Sequence, residues 1–156
     1  MIDELYSARI LKLAANLPRS GRLPEPQGTG ERVAKLCGSR AIVDVVLDAD
    51  GRVADFAQDV KACALGQAAA GVIGEAVMGA SLAEIEAARD AMAAMLKGEG
   101  DGPTGRFEGL GALKQVSAYP ARHASTLVAI EATLEAVRQA LGRKAPDTRT
   151  SLAGAA

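Results

Sequence analysis

The sequence predicts an α+β domain in which helices pack on one face of a small three-stranded antiparallel sheet. Residues 41–60 alternate in polarity and are rich in β-branched side chains, which favours strands. Apolar residues recur at helical spacing in one segment before this stretch and in several segments after it. A run of strands followed by a run of helices is typical of the α+β class. The length of 156 residues fits one such domain, which we expect to span 1–142 with a disordered tail at 143–156.

The first helix is indicated by apolar residues at three- to four-residue steps. Pro18 ends this pattern, and a segment dense in Pro and Gly then predicts a loop up to about Gly30. A first strand is expected over 32–36. The apolar residues of the first helix are Ile2, Leu5, Tyr6, Ile10, Leu13 and Leu17.

Residues 41–60 predict a β-hairpin. The turn falls at Asp48-Ala-Asp-Gly51, where Asp and Gly tolerate the positive φ of tight turns. Helical spacing replaces the alternation from Ala62, and it continues to Gly79. The small residues of this helix predict that it lies close to the sheet or to another helix.

Three further helices are expected after Gly79. Ser81 and Glu84 have the spacing of a capping box, which predicts a helix from Ser81 to about residue 96. Residues 107–116 predict a short helix, and 121–141 predict a long amphipathic helix.

Charge and composition exclude some partners. Lys and Arg total 18 against 19 Asp and Glu, so no basic field attracts a phosphate backbone. Two Tyr, two Phe and no Trp leave few platforms for stacking bases. We therefore expect no nucleic-acid partner.

The sequence also indicates the cellular compartment of the protein. Asp3 and Glu4 stand where a secretory signal carries positive charge, and Gln67 and Glu75 interrupt the most apolar window. No membrane association is expected. Two cysteines without an export signal indicate a reducing compartment, which places the protein in the cytoplasm.

The candidate chemistry rests on Cys37, Cys63 and the single histidine, His123. Cys63 and His123 are predicted at helix starts, where unpaired backbone N–H groups favour a thiolate or a bound metal. The spacings of 26 and 60 residues match no local metal motif. From the residues alone, two core cysteines and a histidine that caps a helix or lies at the surface are the more common explanation of the pattern.

Several segments in order resemble one family. They are "GTGERVAKLCGSR", "AIVDVVLDADGRVADF", "VKACALGQAAAG", "GASLAEI" and "RHAS", within residues 5–141. This order resembles the IscU/NifU amino-terminal family of iron–sulfur cluster assembly scaffolds, with its SufU-like members. The resemblance implies the same fold, and it implies that Cys37, Cys63 and His123 bind a metal ion or cluster.

Two positions depart from that family. Ala124 stands where the family has a third cysteine, after the histidine, and Ser39 stands where it has an aspartate, after Cys-Gly. The segment "SAYPAR" also matches the family's chaperone-recognition motif poorly. Two thiolates and one imidazole leave a tetrahedral site one ligand short. Water, Ser39, a thiol from solution or a residue of a partner or second subunit would complete it, and we favour an exogenous ligand.

The resemblance implies a binding protein rather than an enzyme, with no catalytic residue. Its cargo would be a transient [2Fe–2S] cluster, and its partners a cysteine desulfurase and iron–sulfur acceptor proteins. One alternative is a zinc-binding sulfur acceptor for the desulfurase. Others are a degenerate relative without metal and an enzyme in which Cys63 or Cys37 is the nucleophile and His123 the base. The sequence does not determine whether the protein forms a homo-oligomer.

Overall fold

The protein folds as a three-stranded sheet with helices against one face, as the sequence predicts. The structure, a computed structural model, describes residues 8–15, 17–35 and 38–155, and their side chains as far as Gly142. Its elements are α1 (Ala8–Ala15), β1 (Gly28–Ala34), β2 (Ser39–Leu47), β3 (Val53–Lys61), α2 (Ala64–Ala76), α3 (Leu82–Leu96), two 3₁₀ helices (Gly105–Ala118 and Pro120–Arg122) and α4 (His123–Ala155).

The sheet is antiparallel throughout, in the order β1-β2-β3. The predicted hairpin is confirmed, because β2 and β3 flank the turn at residues 48–52. The Asp48 carboxylate accepts hydrogen bonds from the N–H groups of Asp50 and Arg52 at 2.9 and 3.0 Å, and Gly51 has a φ of 80°. Local side-chain bonds and a glycine therefore close this turn.

The first strand starts earlier than its residues predict. It spans Gly28–Ala34 instead of 32–36, so the predicted loop is wrong at its last three residues. Gly30 pairs with Val43 while α4 packs directly over it. A Cβ on Gly30 would lie 2.1 Å from the carbonyl oxygen of Ala132 in α4. Glycine thus marks a close helix–strand approach here, not a loop.

The helices after the sheet follow the predicted order. Both hydrogen bonds of the capping box between Ser81 and Glu84 are present at the start of α3. The predicted helix at 107–116 is a 3₁₀ helix, Gly105–Ala118, and a short 3₁₀ turn delays the start of α4 to His123. The first half of the predicted first helix lies outside the described residues. Backbone of α4 continues to Ala155, beyond the described side chains, and the disorder expected at 143–156 stays a prediction.

The core fills the space between the sheet and the helices. α4 packs across β1 and β2, and α2 packs against β3, α1 and α4. The largest fully buried apolar side chains come from β3, the α helices and the long 3₁₀ helix: Phe56, Leu65, Ile73, Ile85, Met92, Met95, Leu96, Phe107, Leu110, Leu113 and Ile130. Within the described ranges, no helix is both long and apolar enough to cross a bilayer.

The opposite face of the sheet holds one buried carboxylate, Asp44 of β2. Arg22 donates to it from Nε at 2.6 Å and from Nη2 at 3.1 Å. The Leu23 N–H at 3.0 Å and the Thr29 hydroxyl at 2.6 Å donate as well. Burial by itself raises the pKa of Asp44, but these hydrogen bonds outweigh burial and hold the pKa below its usual value. This charged group therefore helps to tie the loop at 19–27 to the sheet, beside backbone hydrogen bonds of Arg19 and Gly21 with Gln58 and of Gln27 with Val45.

The glycine contact with α4 predicts a large effect of one methyl group. We expect Gly30→Ala to lower the free energy of unfolding by about 1–3 kcal/mol, because the added Cβ overpacks a helix–strand contact. Gly142→Ala is the control, since no atom lies within 4 Å of its Cβ position and alanine favours helix. Urea unfolding of both variants measures the difference. Equal stability of Gly30→Ala and the wild type would mean that α4 lies further from the sheet.

The Asp44 site predicts a pH-dependent contribution to stability. A carboxyl with a lowered pKa stabilises the fold above its ordinary pKa of 3.8, and this stabilisation is lost as pH falls through the lower folded-state pKa. We expect Asp44→Asn to cost about 1–3 kcal/mol at neutral pH, as for hydrogen bonds to a charged group. The difference from wild type should shrink in acid. Asp90→Asn, at a largely exposed carboxylate, is the control in urea titrations at several pH values.

Candidate functional site

Cys63 is the N-cap residue of α2, in extended conformation with a φ of −64° and a ψ of 172°. The predicted helix start at this cysteine is confirmed. Its side chain is partly buried and makes no capping hydrogen bond to the first N–H groups of the helix. Its sulfur instead faces the first turn of α4, with Sγ 3.6 Å from the hydroxyl oxygen of Ser125.

A glycine in α2 permits this approach. The Cβ that Gly66 lacks would lie 2.8 Å from the carbonyl oxygen of Ser125. Any side chain at Gly66 would therefore push the first turn of α4 away from Cys63. The expectation that small residues in this helix allow close packing is met here, and the packing brings the first turn of α4, which begins at His123, against Cys63.

His123 is the first residue of α4, and its ring is held by a backbone group. Its Nε2 lies 2.9 Å from the carbonyl oxygen of Val116, in the long 3₁₀ helix. A carbonyl only accepts hydrogen bonds, so Nε2 carries the proton and donates it. In the neutral imidazole Nδ1 then keeps its lone pair. Histidines that bind metals commonly donate their other ring N–H to a backbone carbonyl in this way.

Cys37 lies outside the described residues, but the turn around it is partly described. The Gly38 N–H donates to the Ala34 carbonyl at 2.9 Å, and Ala34 pairs with Ser39 at the start of β2. Arg40 pairs with Lys61, the last residue of β3. The β1–β2 turn and the segment leading into Cys63 therefore share one end of the sheet.

The two positions that depart from the family pattern differ in exposure. Ala124, which follows His123 in α4, is exposed. Ser39 is buried, with 2% of its surface accessible, and has hydrogen-bonding or electrostatic partners of its own. A ligand from solution can therefore reach the surface beside Ala124. Ser39 is enclosed and already has partners, which makes it the less suitable metal ligand.

The described part of this region offers one thiol, one imidazole and one hydroxyl. Residues 8–15, 17–35 and 38–142 contain no group of three His, Cys, Asp or Glu side chains placed to hold a metal. Cys37, the remaining candidate ligand, lies outside these residues. One turn after Cys63, the buried Oε1 of Gln67 has no hydrogen-bond partner among the described residues. An unpaired buried carbonyl oxygen lowers the stability of the fold, and it leaves a hydrogen-bond acceptor without a donor near the amino end of α2.

Sequence reasoning missed Ser125 and Val116. Ser125 is 1% exposed and contacts the sulfur of Cys63, and Val116 fixes the imidazole of His123. A serine two residues after a histidine at a helix start is a weak signal for the first contact. No sequence signal predicts which backbone carbonyl a ring nitrogen meets.

Known proteins support the fold and the family. The NifU-like N terminal domain family matches residues 5–126. The crystal structure of a nitrogen-fixing NifU-like protein (N-terminal) from Brucella abortus is 46% identical, with a TM-score of 0.87, over 90% of this chain and 97% of that one. No curated protein matches the chain.

Two more distant structures show the same fold. One is a putative iron–sulfur cluster assembly scaffold protein for the SUF system from Fervidobacterium islandicum AW-1, 19% identical, with a TM-score of 0.77, over 86% of this chain and 98% of that one. The other is a hypothetical protein, 23% identical, with a TM-score of 0.77, over 87% of this chain and 98% of that one. The family match over residues 5–126 covers well over half of the chain, and together with the 46% identical structure it shows that this chain belongs to the NifU-like N-terminal domain family.

Proposed function

We propose that this protein is a scaffold or carrier that holds a nascent iron–sulfur cluster through Cys37, Cys63 and His123. The observation that carries the proposal is the arrangement of His123. Its Nε2 donates to Val116, which leaves the lone pair of Nδ1 available to a metal, and His123 stands in the turn of α4 that contacts Cys63. Without that arrangement the two residues would be an ordinary helix start and a half-buried thiol.

The topology of the sheet supports a place for Cys37 in the same site. Cys37 belongs to the connection between β1 and β2, and these strands meet it at the end of the sheet where β3 leads into Cys63. Two thiolates and an imidazole suit iron and zinc, which bind sulfur and nitrogen ligands. They leave one tetrahedral position open, and Ala124, next to His123 in the chain, is exposed. A ligand from solution or from a partner would fill that position.

The open position favours a carrier over a permanent metal site. Structural zinc and stable clusters are normally closed by four protein ligands, whereas an incomplete set exchanges its fourth ligand with solvent or a partner. We propose a cysteine desulfurase as the sulfur donor and iron–sulfur proteins as acceptors, in the cytoplasm. In this proposal, a cluster is assembled and delivered by exchange of the fourth ligand at one end of the sheet.

A zinc-bound form is the second candidate. Two cysteines, one histidine and one open position make up the ligand set of some catalytic zinc sites. Zinc bound in this way would keep the two thiols deprotonated and ready to receive sulfur from a desulfurase persulfide. The metal found in the purified protein separates the two candidates.

Anaerobic reconstitution tests the proposal. We expect the wild type, given iron and sulfide, to take up both and to develop the visible absorption of a [2Fe–2S] cluster. Cys63→Ala, Cys37→Ala and His123→Ala should each lose most of it, because each removes one of three ligands. Bound zinc without sulfide would favour the second candidate. Retention of cluster in all three variants would contradict the assigned ligands, and a wild type that binds neither metal would identify a degenerate relative.

A second variant supplies the missing thiolate. Ala124→Cys places a fixed sulfur next to His123, and we expect zinc affinity to rise by more than about tenfold. Changing a residue that only supports a metal ligand already alters affinity by about tenfold, and a new ligand should do more. Ala112→Cys is the matched control, because it adds a thiol at another exposed alanine, on the long 3₁₀ helix. Competition with a chromophoric chelator gives both affinities. Equal affinity of Ala124→Cys and the wild type would show that position 124 does not face the metal.

A further inference from the structure

Ser125 has one hydroxyl proton and two acceptors within reach. Its oxygen lies 3.2 Å from the carbonyl oxygen of Arg122, one turn earlier, and 3.6 Å from Sγ of Cys63. The side chain is 1% exposed, so water does not compete freely for either contact. The hydroxyl donates to one acceptor at a time. The chemical state of Cys63 determines which acceptor is stronger.

With a protonated thiol, both contacts are satisfied. The Cys63 S–H donates to the Ser125 oxygen, and the Ser125 O–H donates to the Arg122 carbonyl. When Cys63 binds a metal ion, its proton leaves to solvent and the S–H donor is lost. The sulfur then carries negative charge and becomes the stronger acceptor, because hydrogen bonds to charged groups are roughly twice as strong as neutral ones.

The structure also supplies the partner that lets the Ser125 hydroxyl turn. The Thr126 hydroxyl donates to the same Arg122 carbonyl oxygen at 2.6 Å. That carbonyl therefore keeps a hydrogen bond when Ser125 redirects its proton to the sulfur. No buried acceptor is left unpaired by the change, so the rotation of one hydroxyl carries little cost.

We propose that Ser125 is a positioning residue that donates a hydrogen bond to the metal-bound sulfur of Cys63 and thereby strengthens metal retention at a site with too few protein ligands. This inference rests on the proposed metal-binding function. The hydrogen bond orients the thiolate and stabilises its charge, as partners behind a ligand do at other metal centres. It offsets part of the loss that Ala124 causes at the family's third cysteine position.

Cobalt(II) is the probe, because thiolate-to-cobalt charge-transfer absorption reports the charge on the sulfur. We expect Ser125→Ala to shift this band to lower energy, since a thiolate without a hydrogen bond gives up electron density more readily. Zinc affinity, from chelator competition, should fall by about 10–100-fold, the usual effect of removing a partner behind a ligand. Ser125→Thr, which keeps a hydroxyl, should restore the band and most of the affinity.

Thr133→Val is the matched control. Thr133 is another buried hydroxyl in α4, and it donates to the carbonyl of Ala129 in its own helix at 2.7 Å. It is two helical turns beyond Ser125 along the chain, so its loss should leave the band unchanged and alter metal affinity by less than about twofold. A general loosening of α4 would instead weaken both variants alike, without moving the band in either.

The outcomes separate this inference from the function it rests on. A wild-type protein without a thiolate-to-cobalt band overturns both. A wild-type band that Ser125→Ala neither moves nor weakens leaves the metal site in place and overturns the role of Ser125. A band that moves in Ser125→Ala and returns to its wild-type position in Ser125→Thr supports the hydrogen bond. Circular dichroism and urea midpoints confirm that each variant is folded before its band is compared.

Discussion

The structure depends on how closely the backbone of α4 approaches the elements beneath it. At Gly30 the helix lies where a Cβ would be 2.1 Å from a carbonyl oxygen, and at Gly66 the corresponding distance is 2.8 Å. Gly28, also in β1, comes as close, since its Cβ position would be 2.0 Å from the carbonyl oxygen of Ala136. Glycines in β1 and α2 thus set the height of the helix over the sheet and its contact with α2. The position of its first turn, which contains His123 and Ser125, follows from these two contacts. Packing among the protein's own elements thus sets the positions of the side chains that we propose bind the metal.

The two faces of the sheet are stabilised by different interactions. The helix-bearing face is apolar and close-packed, where small changes in volume are costly. The other face relies on Asp44, whose charge gathers Arg22, Thr29 and the Leu23 N–H and so keeps the loop at 19–27 against the sheet. The carboxylate accepts from four donors, and backbone hydrogen bonds between the loop and the sheet add to this contact. The proposed site lies at the end of the helix-bearing side, where α2 and α4 begin.

Local signals in the sequence predicted what local interactions determine. The hairpin turn closed by Asp48 and Gly51 and the capping box of Ser81 and Glu84 are decided by residues within four positions of each other. The start of β1 was missed because glycine also signals loops, and only the distant α4 explains it. The family resemblance indicated Cys63 and His123. Their partners Ser125 and Val116 could not be predicted, because a contact such as that of Cys63 with Ser125 joins residues 62 positions apart.

The long 3₁₀ helix Gly105–Ala118 links both ends of α2. Near its start, Arg106 donates to the carbonyl oxygens of Ala76 and Met78 at 3.2 and 2.8 Å, at the carboxyl end of α2. Near its other end, Val116 holds the ring of His123 beside the amino end of the same helix. 3₁₀ geometry gives weaker hydrogen bonds than an α-helix, so this link is the more deformable part of the assembly. A displacement at the Arg106 end of this helix would therefore be passed on to the His123 ring, so the orientation of the imidazole depends on contacts made at the opposite end of α2.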